Sequence, residues 1–234
     1  LKGPWLLGED APKQLVYQTF SLPSGQRVEM QLPEGTLPFF KDVALFAVRY
    51  DGAPRQEQAE WKVAGDGIFT MSASSGKRID DGGDIASVKA LEAVELTSSV
   101  KDGHVSWDVP QGQWILLRFA IPGYENDVDI LDPEAVKRHF ERIIQPFKER
   151  VGGLFGNTFA NIYSVSWEGS VPTWSPRFEE DFKKFNGRDL RPLMPMLAGF
   201  EIGEEGSLER FMTGYRKARN DMFRDNFYLT MRKL

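Results

Sequence analysis

The residues most able to do chemistry lie in Ile162-Tyr163-Ser164-Val165-Ser166-Trp167-Glu168-Gly169-Ser170. An apolar, strand-like run passes into a carboxylate and then into a loop of small residues. In β/α folds the side chains at the C-terminal ends of strands face the site, so Glu168 stands where a catalytic acid would stand. The Trp167 indole beside it could raise the Glu168 pKa by desolvation, which a general acid needs. Trp167 and Trp174 also offer flat apolar faces against which a sugar ring can pack. The competing reading makes Glu168 a helix-capping or solvated loop residue. Glu125-Asn126-Asp127-Val128-Asp129 supplies further acids just ahead of a helix. Asp127 and Asp129 could bind sugar hydroxyls, or calcium, which takes several oxygen ligands; a solvated turn before a capped helix is the plainer reading. Trp5 could line a cleft or sit in the core.

Other chemistries find less support. Cysteine is absent, which excludes disulfides, thiolate metal sites and a Cys nucleophile. The two histidines, His104 and His139, have no evident partners, so a metal pair or a Ser-His-Asp arrangement is weakly supported. Gly152-Gly153-Leu154-Phe155-Gly156 follows a helix and precedes a strand, the wrong order for a phosphate loop. Net charge is −5, with Lys and Arg dispersed among Asp and Glu, so nothing recruits nucleic acid. No apolar run is long enough to insert into a bilayer.

The elements that must position these residues change character near residue 125. Before it, Leu15–Phe20, Arg27–Leu32, Asp42–Tyr50, Ile68–Met71, Ala93–Thr97, His104–Val109 and Trp114–Ile121 read as short strands between Gly, Pro, Asp and Ser clusters. Asp42–Val48 is almost continuously apolar and predicts a central strand covered on both faces. Ser72–Ser87 reads as a surface loop. After residue 125 the period becomes helical. Asp132-Pro133-Glu134 is an N-cap with Pro in the first turn, and Gly152-Gly153 ends the helix. Phe159–Trp167 predicts a buried strand. A second helix spans Pro176 to Phe185, stopped by Gly187; Leu190–Leu197 is apolar but broken by two prolines; a long last helix begins near Ser207. The fold class predicted is α+β or α/β: a β-rich, sandwich-like domain over 1–125, followed by a partial (β/α) barrel over 126–234. The two ends read as the middle of a longer protein.

Several segments together resemble glycoside hydrolase family 106, the α-L-rhamnosidases. They are Gly3-Pro4-Trp5 with Ala11-Pro12-Lys13-Gln14, Lys41–Ala47 after Leu32-Pro33, and Trp107-Asp108-Val109-Pro110-Gln111-Gly112-Gln113-Trp114 with Arg118. Further along come Asp129-Ile130-Leu131-Asp132-Pro133-Glu134-Ala135-Val136 with His139-Phe140, and Ser166-Trp167-Glu168 with Trp174, Phe178, Phe182 and Gly187-Arg188-Asp189-Leu190. The resemblance implies a large, exported, extracellular or periplasmic enzyme whose catalytic domain is a (β/α)₈ barrel with inserted β structure. It implies removal of terminal α-L-rhamnose from plant polysaccharide or glycoside with inversion, which uses one carboxylic acid and one carboxylate. It carries Glu168 over as general acid or substrate-binding residue. No cofactor follows from the residues themselves; the resemblance implies calcium dependence. The implied partners are a carbohydrate substrate and the remaining domains of a parent chain. Two positions depart from the pattern: Val165 and Gly214 stand where an Asp is expected. The rival readings are a non-catalytic carbohydrate-binding module, an inactive glycosidase-like domain and a purely structural piece.

Overall fold

A computed structural model describes residues 8–35, 39–53, 58–65, 87–123, 127–161 and 172–234. Nine strands and four α-helices are defined among them. The strands are β1 (Val16–Leu22), β2 (Arg27–Gln31), β3 (Lys41–Tyr50), β4 (Gln58–Val63), β5 (Val88–Glu95), β6 (Val100–Lys101), β7 (His104–Asp108), β8 (Trp114–Ile121) and β9 (Phe200–Ile202). The helices are α1 (Pro133–Val151), α2 (Phe178–Asn186), α3 (Ser207–Met222) and α4 (Leu229–Lys233), the last two joined by a π-helical stretch, Phe223–Tyr228.

Six strands form one sheet in the order β4-β1-β8-β3-β5-β9, and three form a second in the order β2-β7-β6. Every pairing is antiparallel except β5 with β9. The alternation of side chains along β3 and β8 sends them into two cores. Phe46, Val48, Ile115, Leu117 and Phe119 meet Phe178, Phe182, Met194 and Tyr215 on the helical side. Leu45, Ala47, Trp114 and Leu116 meet Leu32, Val105 and Val109 of the smaller sheet's layer on the other. The predicted doubly covered strand is therefore β3, and β8 beside it is buried along its whole length. The result is three layers: helices, the six-stranded sheet and the three-stranded sheet.

Packing runs across residue 125. The helical-side core contains Leu15, Tyr17 and Phe119 from before it and Phe182, Phe211 and Met222 from after it. Strand β9, from the second half, extends the sheet of the first. Among the described residues no series of parallel strands closes into a barrel.

Local rules account for most element ends. The Asp132 side chain accepts from Glu134 N at 3.0 Å, the predicted N-cap, worth about 1 kcal/mol. Gly152 N–H closes α1 on Lys148 O. Gly187 ends α2 at φ 79°, a left-handed position that disfavours side chains. The proline-broken segment forms a 3-10 helix over Arg191–Ala198, because Pro195 cannot donate to a longer α ladder.

Three expectations differ from what is found. The strand placed at Ala93–Thr97 runs Val88–Glu95; Leu96 N–H turns onto Leu45 O and Thr97 begins a 3-10 turn. The buried strand expected from Phe159 is not buried where it is described: Phe159 is half-buried and Ala160 and Asn161 are exposed. The cause is that α1 projects past the core, so Phe159 stacks on the exposed ring of Phe147, centroids 5.8 Å apart. The last helix is not uniform, changing to π geometry at Phe223. The strand expected at Ile68–Met71 and most of the loop at Ser72–Ser87 lie outside the described residues.

Candidate active site

The site is built outward from Lys13. The stretch Ala11–Gln14 enters the sheet just before β1, and Lys13 forms isolated bridges with both Gly123 and Trp174. Its carbonyl accepts from Thr173 N at 3.0 Å and Trp174 N at 3.2 Å. Its side chain folds inward. The ammonium donates to Glu9 O at 2.6 Å, Ala11 O at 2.7 Å and Asp129 Oδ2 at 3.4 Å. An ammonium has three hydrogens, and here each has an acceptor.

Asp129 has no exposed surface. Besides Lys13 it accepts from Leu131 N on Oδ1 at 3.0 Å, a local turn that precedes the Asp132 cap. Burial pushes its pKa up to about 7, against the opposing pull of the Lys13 ammonium. The turn is held from behind by Asn226 of the π-helical stretch, whose amide donates to Leu131 O at 2.8 Å and Asp181 Oδ2 at 2.9 Å. Beside it, Arg138 of α1 donates to Asp10 through Nε at 2.9 Å and lies 3.8 Å from Asp132. His139, also on α1, is buried, and desolvation lowers its pKa.

These positions correct two expectations. Asp129, expected to bind sugar hydroxyls or calcium or to lie in a solvated turn, is enclosed, with its carboxyl oxygens bonded to Lys13 and Leu131 N. Trp174 was assigned to a sugar face, but it is buried, with its ring stacked on Phe178 at 5.0 Å and 15°. Asp127 is only partly buried and accepts from Val128 N at 2.9 Å. Trp5, Trp167 and Glu168, together with Val165, lie outside the described residues. Gly214 packs on the end of α2: a Cβ there would come within 2.6 Å of the Asn186 amide nitrogen.

Sequence reasoning missed Lys13. A signal existed in the setting of its partner: Asp129 interrupts the apolar run Val128-Asp129-Ile130-Leu131, and an acid in such a run requires a buried counter-charge.

For calcium, the available donors fit poorly. Both Asp129 oxygens are already engaged, and no group of three or more His, Asp or Glu side chains among the described residues is placed to hold a metal ion. No helix among the described residues is long and apolar enough to cross a membrane.

The structure of a rhamnosidase from Novosphingobium sp. PP1Y superposes with a TM-score of 0.73 at 16% identity, covering 99% of this chain and 36% of that one. That likeness fixes the fold. A protein of Formosa agariphila named "Putative beta-glucuronidase" is 28% identical over 251 residues, covering 99% of this chain and 21% of the relative. The chain thus spans about a fifth of that curated relative. The family model described as alpha-L-rhamnosidase, glycoside hydrolase family 106, matches residues 56–234. The chain belongs to that glycosidase family.

Proposed function

We propose that this chain forms part of an α-L-rhamnosidase that acts on plant-type polysaccharide or glycoside by inversion, outside the cytoplasm, with Glu168 as a carboxylate of its site. The observation that carries this reading is the family match across residues 56–234, a range that includes Glu168. Geometry adds support. The described residues Glu9, Ala11, Gly123, Asp129, Thr173 and Trp174 meet at Lys13, and Glu168 is five residues from Thr173 in the sequence, at most about 18 Å of chain. Trp5, Trp167 and Asp127 are the proposed sugar contacts. Asp129 and Trp174 support them from within.

In the inverting reaction a carboxylic acid gives its proton to the glycosidic oxygen as the bond to C1 breaks. A second carboxylate takes a proton from the water whose oxygen bonds C1 from the opposite face. Glu168 takes the acid role or holds the sugar. The other carboxylate, the rest of the (β/α) barrel to which 126–234 contributes, and calcium if the enzyme uses it, are assigned to the parent protein as a whole.

The test is hydrolysis of an aryl α-L-rhamnoside, with an aryl β-glucuronide in parallel, by the full-length parent and its Glu168→Gln variant. Rhamnoside turnover that falls by about a hundredfold or more in the variant supports the reading, since acid–base groups contribute that much. Unchanged turnover removes Glu168 from the mechanism. Preference for the glucuronide moves the substrate class to that of the curated relative. Sugar binding without hydrolysis by the wild type selects the binding-module alternative.

A further inference from the structure

We propose that this chain carries a second, non-catalytic sugar subsite: a cleft between its two sheets that takes the methyl-bearing edge of a 6-deoxyhexose such as L-rhamnose. The choice of sugar rests on the functional reading given above; the cleft does not depend on it.

The cleft has a volume of about 110 Å³. Its apolar lining is Leu32, Ala44, Leu45 and Val100, and its polar lining is Asp42, Thr97 and Arg118. Strands β3 and β8 of the larger sheet supply one side; β6 of the smaller sheet, with Leu32 and Thr97, supplies the other. None of these residues is among those proposed above for catalysis.

The polar part of the lining is built and held. The Arg118 side chain is only 5% exposed. Of its five N–H groups, three donate to the two Asp42 oxygens and to Pro33 O, and two meet no acceptor among the described residues. The rings of Phe40 and Trp61 cover the guanidinium. Thr97 Oγ1 accepts from Leu45 N at 3.0 Å and donates to Glu95 at 2.9 Å, which fixes the opposite wall. Groups fixed in advance lower the ordering cost of binding.

The charges of Asp42 and Arg118 cancel, so the cleft favours neither a free anion nor a cation. A half-exposed carboxylate beside a guanidinium with unspent N–H groups sets an acceptor next to donors. A hydroxyl group, which both donates and accepts, satisfies both. The rest of the lining is hydrocarbon. A 6-deoxyhexose has this pattern along one edge, where the methyl on C5 stands beside the hydroxyl on C4. The methyl enters among Leu32, Leu45 and Val100, while the hydroxyl donates to Asp42 and accepts from Arg118. The volume falls well short of the roughly 300 Å³ or more that encloses a whole ligand, so only that edge is held. L-mannose, which differs from L-rhamnose by a hydroxyl on C6, would bury that hydroxyl against hydrocarbon without a partner.

The test uses the full-length parent, as wild type, Val100→Phe, which fills the cleft from its rim, and Asp42→Asn, which keeps the shape and removes the charge. Near-UV circular dichroism establishes that each variant is folded at the temperature used. Amide hydrogen exchange is followed while L-rhamnose or L-mannose is titrated in. In wild type, L-rhamnose protects peptides covering Leu32, Asp42–Leu45 and Thr97–Val100, and L-mannose needs about a tenfold higher concentration or more to do so. Val100→Phe loses that protection, and Asp42→Asn shifts its midpoint upward about tenfold. Hydrolysis of the aryl α-L-rhamnoside by Val100→Phe stays within about twofold of wild type in kcat and KM. If Val100→Phe does not fold, Asp42→Asn takes its place in both readouts. No protection of these peptides in wild type, protection that survives in both variants, or equal midpoints for the two sugars overturns the proposal. A loss of kcat in a folded Val100→Phe that matches its loss of binding also overturns it, because the cleft would then be part of the catalytic site. If the wild-type parent does not hydrolyse the rhamnoside, the functional reading fails separately, and exchange alone decides whether the cleft binds the sugar.

Discussion

Lys13 and Asp129 are 116 positions apart in sequence, and their charged groups lie 3.4 Å apart in the interior. The ammonium at that distance does not offset what burial costs the carboxylate, so the Asp129 pKa rises from 3.8 to about 7.

That rise has a consequence for stability against pH. Below 3.8 the carboxyl is neutral in both the folded and unfolded chain and contributes nothing. Between 3.8 and about 7 the unfolded chain has released the proton and the folded protein retains it, so this group's contribution falls as pH rises. Above about 7 the loss is complete, on the order of a few kcal/mol. Asn at 129 still accepts from Leu131 N and does not titrate. The stability of Asp129→Asn relative to wild type should therefore increase from acid to neutral pH. Urea midpoints measured across that window check it; parallel curves for the two proteins would refute the assignment.

Arg118 is the second buried cation with a defined job. It donates to Asp42 at 2.6 and 2.9 Å and to Pro33 O, while its guanidinium lies over Phe40 at 5.2 Å and Trp61 at 5.5 Å. Asp42 is half exposed, so the pair is partly screened by solvent. Arg118→Met keeps the stem's packing and removes these bonds, and should cost about 2 kcal/mol in urea unfolding. A midpoint unchanged from wild type would show that the pair adds nothing.

Asn226 gives a sharper test of the π-helical stretch. Its amide is buried and serves two acceptors on two other elements. Asn226→Leu leaves Leu131 O and Asp181 without that donor, so the loss should be about 1–3 kcal/mol. Exchange of the Leu131 amide should rise more than that of amides within β8. Equal change at both sites would mean global destabilisation rather than loosening of the turn.

A fragment of residues 1–125 should not fold as a unit of its own. It would bare Phe46, Val48, Leu117 and Phe119, which the helices cover in the intact chain. Strong binding of a hydrophobic dye and self-association are the expected signs. A monomeric fragment with sharp, dispersed amide resonances would establish an independent domain.

Much of this architecture was legible in the sequence where local chemistry decides it. Trp114–Ile121 has the turn Pro110-Gln111-Gly112 before it and Pro122 after it, and the strand takes those bounds. Asp132-Pro133 and Gly187 mark helix ends because a cap and a left-handed φ depend on a few neighbouring atoms. Strand β9 was not legible: Phe200–Ile202 has only three residues, too few for its apolar–polar–apolar alternation to stand out, and it exists because it pairs in parallel with β5. The same applies to the site. Glu168 could be singled out from the residues around it, whereas Lys13 and Asp129 acquire their roles only from long-range contact. Trp174 carries the same indole as a sugar platform would, and only its stack on Phe178 shows that its face is occupied.

The double covering of β3 and β8 removes the usual safeguard of strand alignment. In a sheet with one wet face, sliding a strand by one residue drives apolar groups into water, and the error is penalised at once. Here either face of β8 meets hydrocarbon, so such a slide would exchange one greasy surface for another. The guanidinium of Arg118 breaks that symmetry. In the observed pairing it sits opposite Leu45 and reaches Asp42 on the side of the small sheet; moved by one place, it would point toward the helices and away from Asp42. One ion pair at the strand's polar spot thereby serves as the fold's alignment pin.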